Sequence, residues 1–469
     1  MKFLAASLHW ALPCAAPVQQ TSQSAVSRAS KPAGARARRR GGSSNGLPVS
    51  PARREAIQQT WKSALPWAGR AGARLRPLSG LLVCLVLGIA AAQAEPFLPT
   101  DGGQVLERLR TKPFDPATHE LHELRARLAA DPANPKVACE FARQCIELSR
   151  SEANPRYLGR AQGALARWWD EPTPPVDVLV LRATIKQSQH DFTNALNDLD
   201  LALRLDHSNA QAWLTKATVL TVLGDYDGAR RACLPLGQLT TGLIALTATV
   251  SVVCLNGQAE SSCGLLRRAL QNDSKASVGD RLWALTVLGE NSARLGHLAE
   301  AENDFKSALA LGEHDPYLLG ACADLLLDQG RNQEVADLLK SEVTADPLLL
   351  RLTLAEAALV PQPDSYAEHL ASLQARFEAG HLRGDFVHQR EEARFTLELL
   401  HQPLAALHLA QINWQVQREP ADIRILLAAA QAAGEPAAAQ PALNFIREKH
   451  LQDIQLDKIA RQISLATAK

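Results

Sequence analysis

A spacing of 34 residues recurs through the middle of the chain. Ala161, Ala195 and Ala229 stand 34 apart, and so do Ala301 and Val335. Around each position the pattern is the same. In the tract 177–210, Leu179 and Ala183 mark one helical face, His190-Asp191-Phe192 reads as a turn, and Ala195, Leu199 and Ala202 mark a second helix. The next tract repeats this with Trp213, Ala217 and Leu220, the turn Gly224-Asp225-Tyr226, and Ala229 with Cys233. Leu285, Leu288, Gly289, Gly296, Leu298, Ala301, Phe305 and Ala308 form the most regular unit, closed by Pro316. A unit this short cannot bury its apolar face alone, so neighbours must supply the core.

The physical division of labour follows from residue size. Small residues at Ala183, Ala195, Ala217, Ala229, Gly289 and Ala301 let two antiparallel helices approach closely. Trp213, Phe305 and Leu339 fill the space between units. Proline punctuates at Asp131-Pro132, Asp315-Pro316, Asp346-Pro347 and Glu419-Pro420, because it cannot continue a helix and disfavours the α conformation just before it.

Ala301-Glu302-Asn303-Asp304-Phe305, and Trp213 followed by Gly224-Asp225-Tyr226 and Ala229, carry the resemblance of this chain to the tetratricopeptide repeat family. The resemblance implies an all-α solenoid of helix-turn-helix units wound as a right-handed superhelix. Residues 95–348 carry the repeats, 349–450 degenerate helical repeats, and 451–469 a capping helix on which Leu456, Ile459 and Ile463 share one face. It also implies a concave groove lined by the first helix of each unit, which takes a peptide or protein segment. Matching unit by unit puts Val180, Leu181, Thr184 and Gln187 there, then Leu214, Thr215, Thr218 and Thr221, then Thr286, Glu290 and Arg294. The face is neutral and rich in Thr, which points to an extended chain or helix held by hydrogen bonds and packing rather than by a clamp of cations.

Irregular stretches are also expected. Leu246–Val253 is β-branched and reads as a strand in isolation, while the register favours helix. Pro235 falls late in a second helix and should end or kink it. Asn272–Gly279 is a long connection, Ser262 stands where Ala is usual, and Pro361 and Pro363 interrupt the degenerate half.

Charge is divided unevenly along the chain. Of 50 Lys+Arg and 49 Asp+Glu, 13 basic residues and one acid fall before Glu95, so the body is acidic. Without a basic stripe it does not suit nucleic acid. Residues 1–77 are rich in Arg, Ala, Ser and Gly and are expected to be a disordered extension. Residues 78–94 combine upstream arginines, the apolar run Leu81–Ala90 and Ala92-Gln93-Ala94, the pattern of a signal peptide, with an uncleaved anchor as the alternative. Met1 is the only methionine. Two expectations follow: translation begins downstream, with residues to about 74 read through in error, or a weak export signal opens at Met1. Export implies a periplasmic or secreted protein of a bacterial envelope.

Motifs for chemistry are sparse. His119-Glu120-Leu121-His122-Glu123 spaces its histidines i, i+3, unlike the i, i+4 pair of zinc proteases, and reads as a solvated helix face. Cys139, Cys145, Cys233, Cys254, Cys263 and Cys322 have no C-x-x-C spacing and read as buried thiols, with Cys254 and Cys263 the pair to test for a disulfide. No phosphate loop or nucleophile elbow is present, and carboxylate pairs are expected on helix surfaces. The expectation is therefore no enzyme, no catalytic, cofactor or metal residues, and a protein or peptide partner without membrane insertion of the mature chain. A non-enzymatic envelope scaffold or adaptor leads; the alternative is a helical co-subunit of a machine that makes or exports envelope polymers. An enzyme with its site in the irregular 349–420 stretch is the third expectation.

Overall fold

The structure is a computed structural model and describes residues 116–467 except 385 and 386. The extension 1–77 and the signal-like segment 78–94 lie outside the described residues. No strand occurs among the described residues, and none of their helices is long and apolar enough to cross a membrane.

The chain runs through α1 (Pro116–Ala130), α2 (Pro135–Ser151) and α3 (Arg156–Ala164) into the regular pairs. These are α4 (Val176–Ser188) with α5 (Phe192–Leu205), α6 (Ala210–Val222) with α7 (Tyr226–Cys233), and α8 (Gly242–Val253) with α9 (Ala259–Asn272). Next come α10 (Val278–Leu295) with α11 (Leu298–Leu309), and α12 (Pro316–Asp328) with α13 (Asn332–Leu339). The degenerate half holds α14 (Asp346–Ala357), α15 (Ser365–Arg383), α16 (Gln389–Glu398), α17 (Pro403–Trp414), α18 (Pro420–Ala432), α19 (Gln440–Lys449) and α20 (Ile454–Thr467). Each helix packs on its partner, and first helices stack on first helices: α4 on α6, α8 on α10, α10 on α12, and onward to α18. This is the all-α helix-pair solenoid that the 34-residue spacing predicts.

Local chemistry explains the boundaries. Asp191, Asn209, Asp225 and Ser277 each accept from a backbone N–H in the first turn of the following helix, and Asp315 does so from Tyr317 and Leu318. The turn inside each pair uses one left-handed residue, in order His190, Gly224, Gly257, Gly296 and Gly330. Those positions keep the 34-residue register from His190 to Gly224 and from Gly296 to Gly330, fall one short at Gly257, and overshoot between Gly257 and Gly296, where the connection 273–277 adds residues. Gly224 has a second reason to lack a side chain, since a Cβ there would lie 2.7 Å from the Phe445 ring. His190 fills a glycine place with φ 59°, a conformation that costs an L-residue roughly 1–2 kcal/mol.

The irregular stretches follow their residues. Gly242–Val253 is helical despite its β-branched composition, because both flanks bury it: Leu243, Ile244, Ala248, Val250 and Val252 are all in the core. Before Pro235, α7 ends at Cys233, and a single turn, Leu236–Leu239, follows. Pro361 and Pro363 fall in the break between α14 and α15.

The later helices return to the inner side of the earlier ones. The Arg418 N–H donates to the Val222 carbonyl at 2.8 Å. Phe445 packs edge-on against Tyr226 and Trp414, with centroids 5.9 and 5.6 Å away. Ile454 approaches the turn at Gly296, and α20 packs on both α18 and α10. One apolar core therefore runs from Leu214 through Trp283 and Leu288 to Trp414, Phe445, Leu456 and Ile463. The terminal helix buries Leu456 and Ile463 as its expected face, and its contact with α10 comes from this return.

Candidate functional site

The concave-face residues are covered. Val180, Leu181, Thr184, Gln187, Leu214, Thr215, Thr218 and Thr286 are buried, and Thr221, Glu290 and Arg294 are half-buried. Nor are the threonine hydroxyls on offer. Thr184, Thr218, Thr221 and Thr286 each donate to the carbonyl four residues back in their own helix, at 2.8–3.0 Å, and Thr215 accepts from Gln211. Thr-rich composition marks this face, but the hydrogen bonds it foretells for a guest are made within the helices.

Between the inner face and the returning helices lies a cavity of about 370 Å³. Its wall comes from α8, α10, α12, α14, α16 and α18. One end is charged. Asp324 of α12 takes Arg351 of α14 at 2.5 Å and Arg394 of α16 at 2.8 Å. Those two guanidinium groups hold its carboxyl well below the usual range against the opposing effect of burial. Arg394 also reaches Glu398 at 3.2 Å, and Arg424 of α18 pairs with Asp328 of α12 at 2.5 Å. These ties join helices up to 96 residues apart in the chain.

A second group sits where α16 meets α18. Arg390 contacts Glu391 at 3.1 Å, Glu419 at 3.0 Å and Asp422 at 3.5 Å. Asp422 accepts from the Glu419 N–H at 2.7 Å and from Asn413 Nδ2 at 2.8 Å, closing a capping box at the start of α18. Burial pushes its carboxyl up to about 7, with Glu419 adding to the rise and Arg390 opposing it. Nearby, the Tyr317 hydroxyl donates to Glu290. The neighbouring His190 is forced by burial, and then by Arg390, down to about 3, so it is neutral.

The carboxylates Asp324, Asp328, Glu391, Glu398 and Glu419 thus line a cavity, whereas sequence reasoning assigns carboxylate pairs to solvated surfaces. The reason is the return of the second half, which no local pattern encodes. The one available signal is the polar run Gln389-Arg390-Glu391-Glu392-Ala393-Arg394 at the start of α16.

The other candidates stand apart from the cavity, apart from one thiol. His119 and Glu123 lie exposed on α1 at 3.6 Å. Among the described residues no group of His, Cys, Asp or Glu is arranged to hold a metal. All six cysteines after residue 94 are buried free thiols, and burial pushes Cys139, Cys145, Cys233, Cys263 and Cys322 up to about 12. Cys254 lines the cavity and accepts from Arg294 at 3.1 Å.

No family model matches the chain, and no curated protein matches it. Solved structures do resemble it. A tetratricopeptide repeat protein from Parabacteroides merdae is 17% identical, with 61% of this chain and 98% of that one covered at a TM-score of 0.31. The Cut9–Hcn1 hetero-tetramer of the APC/C is 13% identical, with coverage of 75% and 87% and a TM-score of 0.36. Yeast Tom70 is 12% identical, with coverage of 75% and 85% and a TM-score of 0.34. At such identities and scores the likeness says nothing of what this chain binds.

Proposed function

We propose that this chain is a non-enzymatic scaffold for protein–protein interaction in the cell envelope. The stacked helix pairs carry this reading: their mutual contacts supply the core. Apolar side chains still stand exposed on second helices or just after them, Leu205 at the end of α5, Leu234 just after α7 and Leu265 in α9, at 56%, 67% and 50%. The envelope assignment is supported by the signal-like residues 78–94. Of the expected groove residues, Thr184, Gln187, Leu214, Thr215 and Thr218 are buried, whereas Leu205, Leu234 and Leu265 are exposed, which supports a partner on the latter surface.

Photo-crosslinkers placed at Leu234 and at Thr215 and Thr218, in envelope fractions of cells making the full chain, test this. Protein capture at Leu234 is the expected result. Capture at Thr215 and Thr218 instead moves the partner to the concave face. Absence of protein adducts at all three positions, or turnover by the isolated chain, overturns the scaffold reading. Cell fractionation checks the location, and recovery in the cytoplasm refutes it.

A further inference from the structure

Four of the five arginines lining the cavity have a carboxylate within 3.2 Å: Arg351, Arg390, Arg394 and Arg424. Arg294 does not. Among the described residues its guanidinium is within 4 Å of no carboxylate, and its hydrogen bonds go to Cys254 Sγ and Asn291 Oδ1. The same wall holds a second unmet donor. Asn291 is fully buried and lines the cavity, and its Nδ2 has no acceptor. A cation with no carboxylate beside an idle amide N–H asks for an anion, because the amide loses water without gaining an acceptor and the guanidinium has only a thiol and an amide oxygen to meet it.

Shape and charge narrow the class. A planar guanidinium and a planar amide match the two oxygens of a carboxylate. Glu290 and Asp453 already act on Arg294 through space, so a single negative charge fits better than two. Besides its charged groups the wall carries apolar side chains, among them Val287, Leu298, Phe305, Leu325, Leu348 and Ile425. We propose that the cavity binds a small monocarboxylate with an apolar body, its carboxylate held by Arg294 and Asn291 and its body against these side chains. Arg294 also lines a second recess of about 770 Å³ beside the segment Leu451–Gln455 before α20, whose wall carries Lys458 and Arg461 as well as Asp453 and Asp457. This goes beyond the scaffold reading and does not depend on it.

Calorimetric titration of the full chain at pH 8 with sodium hexanoate, 1-hexanol and inorganic phosphate tests the proposal. Hexanoate is expected to bind one per chain and more tightly than hexanol. Arg294→Gln should weaken hexanoate at least tenfold and leave hexanol unchanged. If Arg294→Gln does not fold by circular dichroism, Asn291→Leu keeps the cation and removes the amide, and should also weaken hexanoate about tenfold. Equal binding of hexanoate and hexanol overturns the assignment. Tighter binding of phosphate does so too, as does no heat with hexanoate at millimolar concentration, which would mean that water alone satisfies these donors.

Discussion

Gly289 of α10 lies against the ring of Phe305 in α11. A Cβ at position 289 would stand 2.6 Å from two ring carbons and 2.9 Å from a third. The ring is 3% exposed, so it has little room to retreat. Overpacking of this kind costs about 1–3 kcal/mol, and three contacts this short place Gly289→Ala near the top of that range. Alanine is also the better helix former by about 1 kcal/mol, which works in the opposite direction. The single substitution should therefore destabilise by about 2 kcal/mol net. With Phe305→Ala already in place the clash is gone, and Gly289→Ala should stabilise by about 1 kcal/mol. The effect thus changes sign with background, a coupling of about 3 kcal/mol. Urea unfolding of the four proteins of this cycle, followed by circular dichroism, measures it. Equal effects of Gly289→Ala in both backgrounds would refute the close-approach reasoning, and with it the account of why small residues recur at the repeat interval.

Two further outcomes follow from buried charge. Arg182 donates to both oxygens of Asp198, at 2.6 and 2.8 Å, and to the carbonyls of Trp168, Trp169 and Glu171. Arg182→Met strands these acceptors and should cost about 3–5 kcal/mol in urea unfolding; a loss under 1 kcal/mol would contradict the pairing. Asp422 has its carboxyl raised to about 7, so the folded state holds a proton that the unfolded state releases above its ordinary value. Its contribution is full below about pH 4 and is lost as pH rises through about 7, so wild type should lose stability relative to Asp422→Asn across that window. Parallel pH profiles of the two proteins across that window would refute the raised carboxyl.

Much of the architecture was legible in the residues. Ala161, Ala195 and Ala229 gave the interval, and so did Ala301 and Val335; the turn at Gly224 falls inside its pair where the interval from His190 puts it, and Gly330 where the interval from Gly296 puts it. Periodicity also settled Leu246–Val253, where β-branched composition alone points to a strand. The cavity was not legible. Arg351, Arg390, Arg394 and Arg424 sit on separate helices with no local sign of the shared cavity, and Asp324 meets Arg394 across 70 residues of chain. Repeat patterns record what each unit shows its neighbour. They carry no record of which distant helix comes back, nor of the burial of Thr215 and Thr218.

That return has a consequence for how the protein is made. A plain array is sheltered pair by pair as it emerges, and trimming its far end removes only a unit. Here Trp283, Leu288 and their neighbours wait, half clothed, until Phe445, Leu456 and Ile463 have been synthesised. A nascent or truncated chain ending short of those residues carries bare leucine surface that a holding chaperone must guard, and proteases will read it as damage.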